Sequence, residues 1–141
     1  MSHFTKLKTK ILDKECLLKT LKNLNYEFEE NSSIRGYNRR TRTGDIAIKT
    51  KGEFDVGFVR KSSDMPFQIL ADWYGAAQAI GCSRTEFVNK VQREYATTKV
   101  IHELRKKGYR IKSRSVNDTG ELKLLVVKRG FASRWVQIIL N

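Results

Sequence analysis

The apolar residues of this chain keep two rhythms, and the order in which those rhythms alternate limits the fold more than any other feature. Short runs of period two, the mark of strands, dominate. A period of three to four, the mark of an amphipathic helix, takes over twice. Residues 4–11 alternate, with Leu7 and Ile11 on one face and Lys6, Lys8 and Lys10 on the other. Asp13 is placed to cap a helix, its carboxylate accepting from the free N–H groups of the first turn. Leu17, Leu18, Leu21 and Leu24 then recur at helical spacing, ending near residues 23–25. Tyr26 and Phe28 open a second strand; 31–33 read as a loop, 34–37 as a short strand and 38–44 as a polar, basic loop. Ile46 and Ile48 begin a hairpin over 45–60 that turns at Lys51 and Gly52. Residues 62–66 turn again, and 67–73 form a further strand. Ser83 and Glu86 match a capping box. It opens a long helix through Phe87, Val91, Tyr95, Ile101 and Leu104, with Gly108 just past its end. Tyr109 and Ile111 alternate with Arg110, Lys112 and Arg114; residues 117–120 turn and 122–127 return.

Hairpin connections favour an antiparallel sheet, and amphipathic helices need one face to cover. The expected fold is therefore α+β, with a mainly antiparallel sheet packed against two helices. At 141 residues the chain suits one domain, placed at 1–129. Residues 130–141 form a C-terminal extension, apolar enough over 136–140 to add a strand or to cover a sheet edge. No run of about 18 apolar residues exists to span a bilayer. The first residues lead straight into patterned sequence, without a signal core or an Arg/Ser-rich leader. Cys16 and Cys82 are too isolated for a disulfide framework or a zinc site. The expected compartment is reducing, with no metal and no cofactor.

Charge narrows the function classes. With 28 Lys+Arg against 15 Asp+Glu the formal net charge is +13, and segment by segment (1–30, 31–65, 66–95, 96–141) it runs +1, +4, 0 and +8. Such an excess steers polyanions and opposes self-association. Arg35, Tyr37, Arg39, Arg40 and Arg42 fall within eight residues. A tyrosine among arginines is what single-stranded nucleic acid meets: charge for phosphates and a π-face for bases. Arg110, Lys112 and Arg114 are read as projecting from one face of a strand, with Lys128, Arg129 and Arg134 on the next. RNA or DNA is the first partner these segments suggest.

Asp72, Trp73 and Tyr74 make the densest aromatic cluster. Two adjacent rings after a strand cannot both face the core, so one is expected near the surface, where it would suit a protein or base contact; packing of the cluster over the sheet end is the favoured alternative. The alternative to nucleic-acid binding is thus a protein partner that uses this cluster and a sheet edge. Catalysis has less to build on. His3 has no identifiable carboxylate or serine partner, and His102 reads as a surface residue of the long helix about a turn from Lys99 and Lys106. Cys82 has no neighbouring histidine, and no phosphate-binding glycine loop is present. Asp45, Asp55 and Asp72 at strand positions are the one nuclease-like set, since converging carboxylates hold Mg²⁺. Yet Asp55 is followed by Val56 and Gly57 where such sites carry a lysine, and Lys49 is read as pointing along the other strand. No catalytic or metal-ligating residue is assigned; each aspartate is alternatively a partner for Arg35, Arg60 or a turn.

Several segments in order carry a family resemblance: Met1-Ser-His-Phe-Thr-Lys-Leu-Lys-Thr-Lys10, Ile34-Arg-Gly-Tyr37, Asp45-Ile-Ala-Ile-Lys-Thr50, Phe54-Asp-Val-Gly-Phe58, Ala71-Asp-Trp-Tyr-Gly75 and Tyr95-Ala96. Over residues 1–129 the chain resembles the hypothetical chloroplast open reading frame thirty-five family, proteins of unknown function from plastid genomes and cyanobacteria. Three departures stand out: Tyr74 where the family commonly has a second tryptophan, the arginine-rich stretch after Tyr37, and a longer tail. The resemblance implies the plastid stroma, or a cyanobacterial cytoplasm, with an organellar protein as the alternative partner. It implies no activity and no catalytic residues.

Overall fold

The computed structural model describes residues 3–130 and 135–140. Its strands and helices divide between two compact units, Met1–Tyr95 and Ala96–Asn141. The α+β class holds; among the described residues there are two antiparallel sheets where one was expected and three α-helices where two were expected.

In the first unit the strands are β1 (Thr5–Lys8), β2 (Phe28–Arg35), β3 (Thr41–Ile48), β4 (Val56–Val59) and β5 (Gln68–Ala71). They form one sheet in the order β1-β5-β4-β3-β2. Helix α1 (Lys14–Asn23) starts where Asp13 accepts from the Cys16 N–H at 3.1 Å. Helix α2 (Trp73–Ile80) is the unexpected one. The strand read through Trp73 ends at Ala71, because Asp72 caps a new helix through Tyr74 N–H, and Gly81 closes that helix in the left-handed region at φ 86°. Eight residues, four of them Gly or Ala, are too few to display a helical period. Helix α3 (Arg84–Lys106) opens at the expected capping box: Ser83 Oγ accepts from Glu86 N–H at 3.1 Å.

All three helices cover one face of the sheet. Leu17 and Leu21 of α1, Ala76 of α2 and Phe87, Val91 and Tyr95 of α3 pack on Ile46, Ile48, Val56, Phe58 and Ile69. The opposite face is covered by the sheet's own β2–β3 hairpin. Phe28 packs with the helices, whereas Ile34, six residues on, is fully buried against Ala47 and Leu70 on the other side. Strict alternation would put both on one face. Asn31, at φ 49°, breaks it, and the far half of the hairpin folds back across the sheet. Its seat is Gly57, where a Cβ would stand 2.0 Å from Ile34 Cδ1. Burial of Ile34 in this seat contributes roughly 1.5–3 kcal/mol. The segment 31–33, read as a loop, is therefore strand. It lies at the sheet edge, where Ser32 and Ser33 pair with Gly44 and Thr43 of β3 and Asn31 and Ser33 are exposed.

The second unit takes the last turns of α3 and the strands β6 (Tyr109–Val116), β7 (Leu122–Lys128) and β8 (Trp135–Leu140), in the order β6-β7-β8. Leu122, Leu124 and Val126 form its core with Val100, Ile101 and Leu104. Gly108 ends α3 at φ 90°. Residues 135–140 of the tail pair with β7. Residues 131–134, Arg134 among them, lie outside the described residues. None of the described helices is long and apolar enough to cross a membrane.

Candidate nucleic-acid interface

Folding back brings the tip of the β2–β3 hairpin to the end of β5, where two buried carboxylates receive it. Asp55 Oδ2 accepts from the backbone N–H of Arg35 at 3.0 Å, from Arg35 Nε at 2.7 Å and from Lys49 Nζ at 3.2 Å; Oδ1 accepts from Arg35 Nη2 at 2.8 Å and Thr50 N–H at 3.1 Å. Burial alone would push this carboxyl up, but the Arg35 guanidinium, the two backbone N–H groups and Lys49 outweigh it and hold Asp55 at about 2. Asp55 in turn raises the Arg35 pKa. Arg35 also donates to the Thr50 carbonyl at 3.0 Å. It is thus committed to fixing the tip. Lys49 bends to this same carboxylate and does not point along the other strand.

The second carboxylate is Asp72. Oδ1 caps α2 at Tyr74 N–H and Oδ2 accepts from Tyr37 N–H, each at 3.2 Å. One side chain therefore ties the hairpin tip to the helix start and sets Tyr37 against Tyr74, edge to face, with ring centroids 5.6 Å apart. Phe54 stands 6.4 Å from Tyr74. The two tyrosine rings stay open to solvent: Tyr37 is 49 % exposed and Tyr74 75 %. Trp73 turns the other way and packs on Phe87 at 6.0 Å, its buried Nε1 without a hydrogen-bond partner among the described residues. Of the two adjacent rings, the tyrosine is the surface one.

Between them, residues 37–40 make a tight turn closed by Arg40 N–H on the Tyr37 carbonyl at 3.2 Å. Asn38 and Arg39 both adopt left-handed φ, 56° and 62°, as in a type I′ turn, where glycine is the usual second residue. Arginine there costs about 1–2 kcal/mol of backbone strain. The turn aims Arg39 at a surface groove of about 540 Å³ that Tyr37, Phe54 and Glu53 also line. Arg40 is exposed, and Arg42 lies 5.3 Å over the Phe4 ring. The hairpin tip thus carries three exposed arginines, Arg39, Arg40 and Arg42, and two exposed tyrosine rings set edge to face; cations with exposed rings are the combination that holds phosphates and bases.

Comparisons with known proteins agree with the family resemblance. Residues 20–125 match the family model described as protein of unknown function (DUF1257). The chain belongs to this family. It is 28 % identical over 127 residues to the uncharacterized protein ycf35 of Cyanophora paradoxa and 31 % over 127 residues to that of Pyropia yezoensis, covering 89 % of this chain and 96 % of each relative. To the protein of the same name in Guillardia theta it is 27 % identical over 125 residues, 88 % of this chain and 94 % of the relative. These relatives come from plastid-bearing organisms. No solved structure matches the chain. The family span includes the whole hairpin tip together with Asp55 and Asp72 to Tyr74.

The other sequence-derived sites are not gathered in this way. On β6 the register shifts between Ile111 and Ser113, so Arg110 pairs with Val127 and Arg114 with Leu124. Those partners are three residues apart on β7, hence on opposite faces. The three cations do not share one face as alternation suggested; Lys112 sits at the irregularity. The nuclease set is likewise dispersed in its bonding. Asp45 accepts Arg60 N–H at 2.9 Å, Asp55 is filled by five donors and Asp72 by two. Among the described residues these three carboxylates do not come together as a metal-holding group. Phe54 and the tie from Asp72 to Tyr37 were missed from sequence, whereas the pairing of Asp55 with Arg35 was among its alternatives. Their signal, an acid next to an apolar strand, is too common to be specific.

Proposed function

We propose that this protein is a non-enzymatic binding module for single-stranded RNA or DNA, working in the plastid stroma or in a cyanobacterial cytoplasm. The observation that carries the reading is the Asp72 clamp, which presents Tyr37 and Tyr74 as paired exposed rings beside Arg39. Arg40 and Arg42 supply further phosphate contacts, while Arg35 acts by holding the tip in place. A base stacks on a tyrosine face as its flanking phosphates meet the arginines.

Salt titrations of RNA binding by fluorescence anisotropy test this. Replacing Arg39, Arg40 and Arg42 together by alanine flattens the slope of log K against log salt by about 0.7 for each phosphate no longer neutralised. Tyr37→Ala or Tyr74→Ala lowers affinity by about 1–3 kcal/mol with the slope unchanged, because stacking releases no counterions. Equal small losses from Lys6, Lys8 and Lys10 substitutions, with no effect of either tyrosine, would show only a solvated basic surface. An organellar protein captured through Tyr74, with no RNA retained, would favour the interaction-factor reading of Asp72 and Tyr74.

A further inference from the structure

The opposite end of the five-stranded sheet carries a second cationic cluster that the nucleic-acid reading does not use. A groove of about 310 Å³ opens there beside the ends of β1 and β4 and the start of β5. Its walls include Lys8, Arg60, Lys61, Met65, Pro66 and Phe67, and no carboxylate lines it. Arg60 is held in one orientation. Its guanidinium lies 4.0 Å over the centroid of the buried Phe67 ring, and Nη1 donates to the carbonyls of Leu12 at 2.7 Å and Ser63 at 3.2 Å.

The rest of that guanidinium is uncommitted: Nε and Nη2 have no hydrogen-bond partner among the described residues. The nearby acids are engaged elsewhere. Asp45 takes the backbone N–H of Arg60, and Asp64 accepts from the Ser62 hydroxyl. Among the described residues no ion pair reaches Lys8, Arg60 or Lys61. A guanidinium flattened on an aromatic ring, with its Nε–Nη2 edge open, is preorganised for two parallel bonds to an oxyanion. Two further cations at the same groove favour a dianion over a single carboxylate. Met65, 45 % exposed, and Pro66 add an apolar wall, and the volume lies at the small end of ligand sites.

We propose that this groove binds a small organic phosphate monoester. The phosphate dianion sits on the Nε–Nη2 edge of Arg60 between Lys8 and Lys61, and the apolar group on its ester oxygen rests against Met65 and Pro66. The site stands apart from the hairpin tip, and neither reading depends on the other.

Phenyl phosphate is the probe, titrated into the ¹⁵N-labelled full chain and followed by NMR. The expected result is a saturable shift of Arg60 Nε–H and of the Lys61 and Gln68 amides, with a Kd below about 1 mM. Inorganic phosphate and benzoate bind about tenfold more weakly, the first lacking the apolar group and the second the dianion. Arg60→Lys keeps the charge and loses the fork, weakening binding about tenfold. Lys8→Ala and Lys61→Ala, both at exposed positions, weaken it about threefold each and decide the matter if the Arg60 variant does not fold. Tyr37→Ala leaves it unchanged. Shifts scattered over many surface lysines, equal binding of phenyl and inorganic phosphate, full affinity in folded Arg60→Lys, or a loss in Tyr37→Ala would each overturn the assignment.

Discussion

Two hairpins carry most of the arginines that the sequence offers as a binding surface, and they treat them in opposite ways. In β2–β3, one left-handed asparagine folds the hairpin onto its own sheet. The tip is then pinned by Asp55 and Asp72, and arginines and rings from residues 37–74 come together. In β6–β7, one register irregularity sends Arg110 and Arg114 to opposite faces. Cation density along a strand is therefore a poor guide to cation density on a surface. A single residue of irregular backbone decides whether a basic run becomes a site.

The largest test of this contrast is to unseat the first hairpin. Ile34→Ala, which empties the seat over Gly57, destabilises by roughly 2–5 kcal/mol in a urea melt. Ile111→Ala, on a half-buried residue of the second hairpin, costs about 1 kcal/mol. Equal losses would mean that the fold-back contributes no more than an ordinary strand contact.

Next in size is the carboxylate that pins the tip. The Asp55 pKa falls from 3.8 to about 2 on folding, which is worth about 2 kcal/mol. Because the folded value is the lower one, this stability is present above the unfolded pKa and is lost as pH falls through about 2. Asp55→Asn should thus cost about 2 kcal/mol at pH 7, with the gap to wild type closing between pH 4 and 2. A gap that stays constant across that window would assign the loss to packing.

A smaller effect separates strain from function at the turn. Arg39→Gly relieves the left-handed backbone and stabilises by about 0.5 kcal/mol after the glycine entropy cost. Arg39→Ala brings no such gain, yet both weaken RNA binding alike. If Arg39→Gly is the less stable of the two, the turn geometry is wrong. The smallest effect belongs to the second hairpin. Arg110→Ala with Arg114→Ala flattens the salt slope of RNA binding by no more than about 0.7, the value of one phosphate, since one strand cannot meet both faces. A slope change of twice that size would put both arginines on one surface.

Much of this was legible in the sequence. The Asp13 cap, the capping box at Ser83 and the stripe of Leu17 and Leu21 are local signals, and local geometry satisfies them. The cluster of Arg39, Arg40, Arg42 and Tyr37 was legible too, because it lies around one turn. What escaped was set at long range or by backbone irregularity. Helix α2 begins at an aspartate that sequence reads as the end of a strand. The pairing of Arg35 with Asp55 stood only as one alternative among several, because a partner twenty residues away leaves no local mark. Tyr37 and Tyr74 meet only through Asp72, and no period in the sequence encodes a hairpin that doubles back.

That doubling back also gives the site a place in time. During synthesis residues 28–48 emerge and can pair locally well before Asp72 exists to receive them. The aromatic pair assembles only after β5 and the first turn of α2 have formed, at a sequence separation of 35 residues between Tyr37 and Asp72. Contacts of that span close late, because chain entropy opposes them until the sheet beneath is built. The tip is held mainly by two carboxylates and one isoleucine, so its release is a local opening that leaves the helices in place. Hydrogen exchange would see it as faster exchange at Arg35 and Tyr37 than at Phe58 in the sheet below.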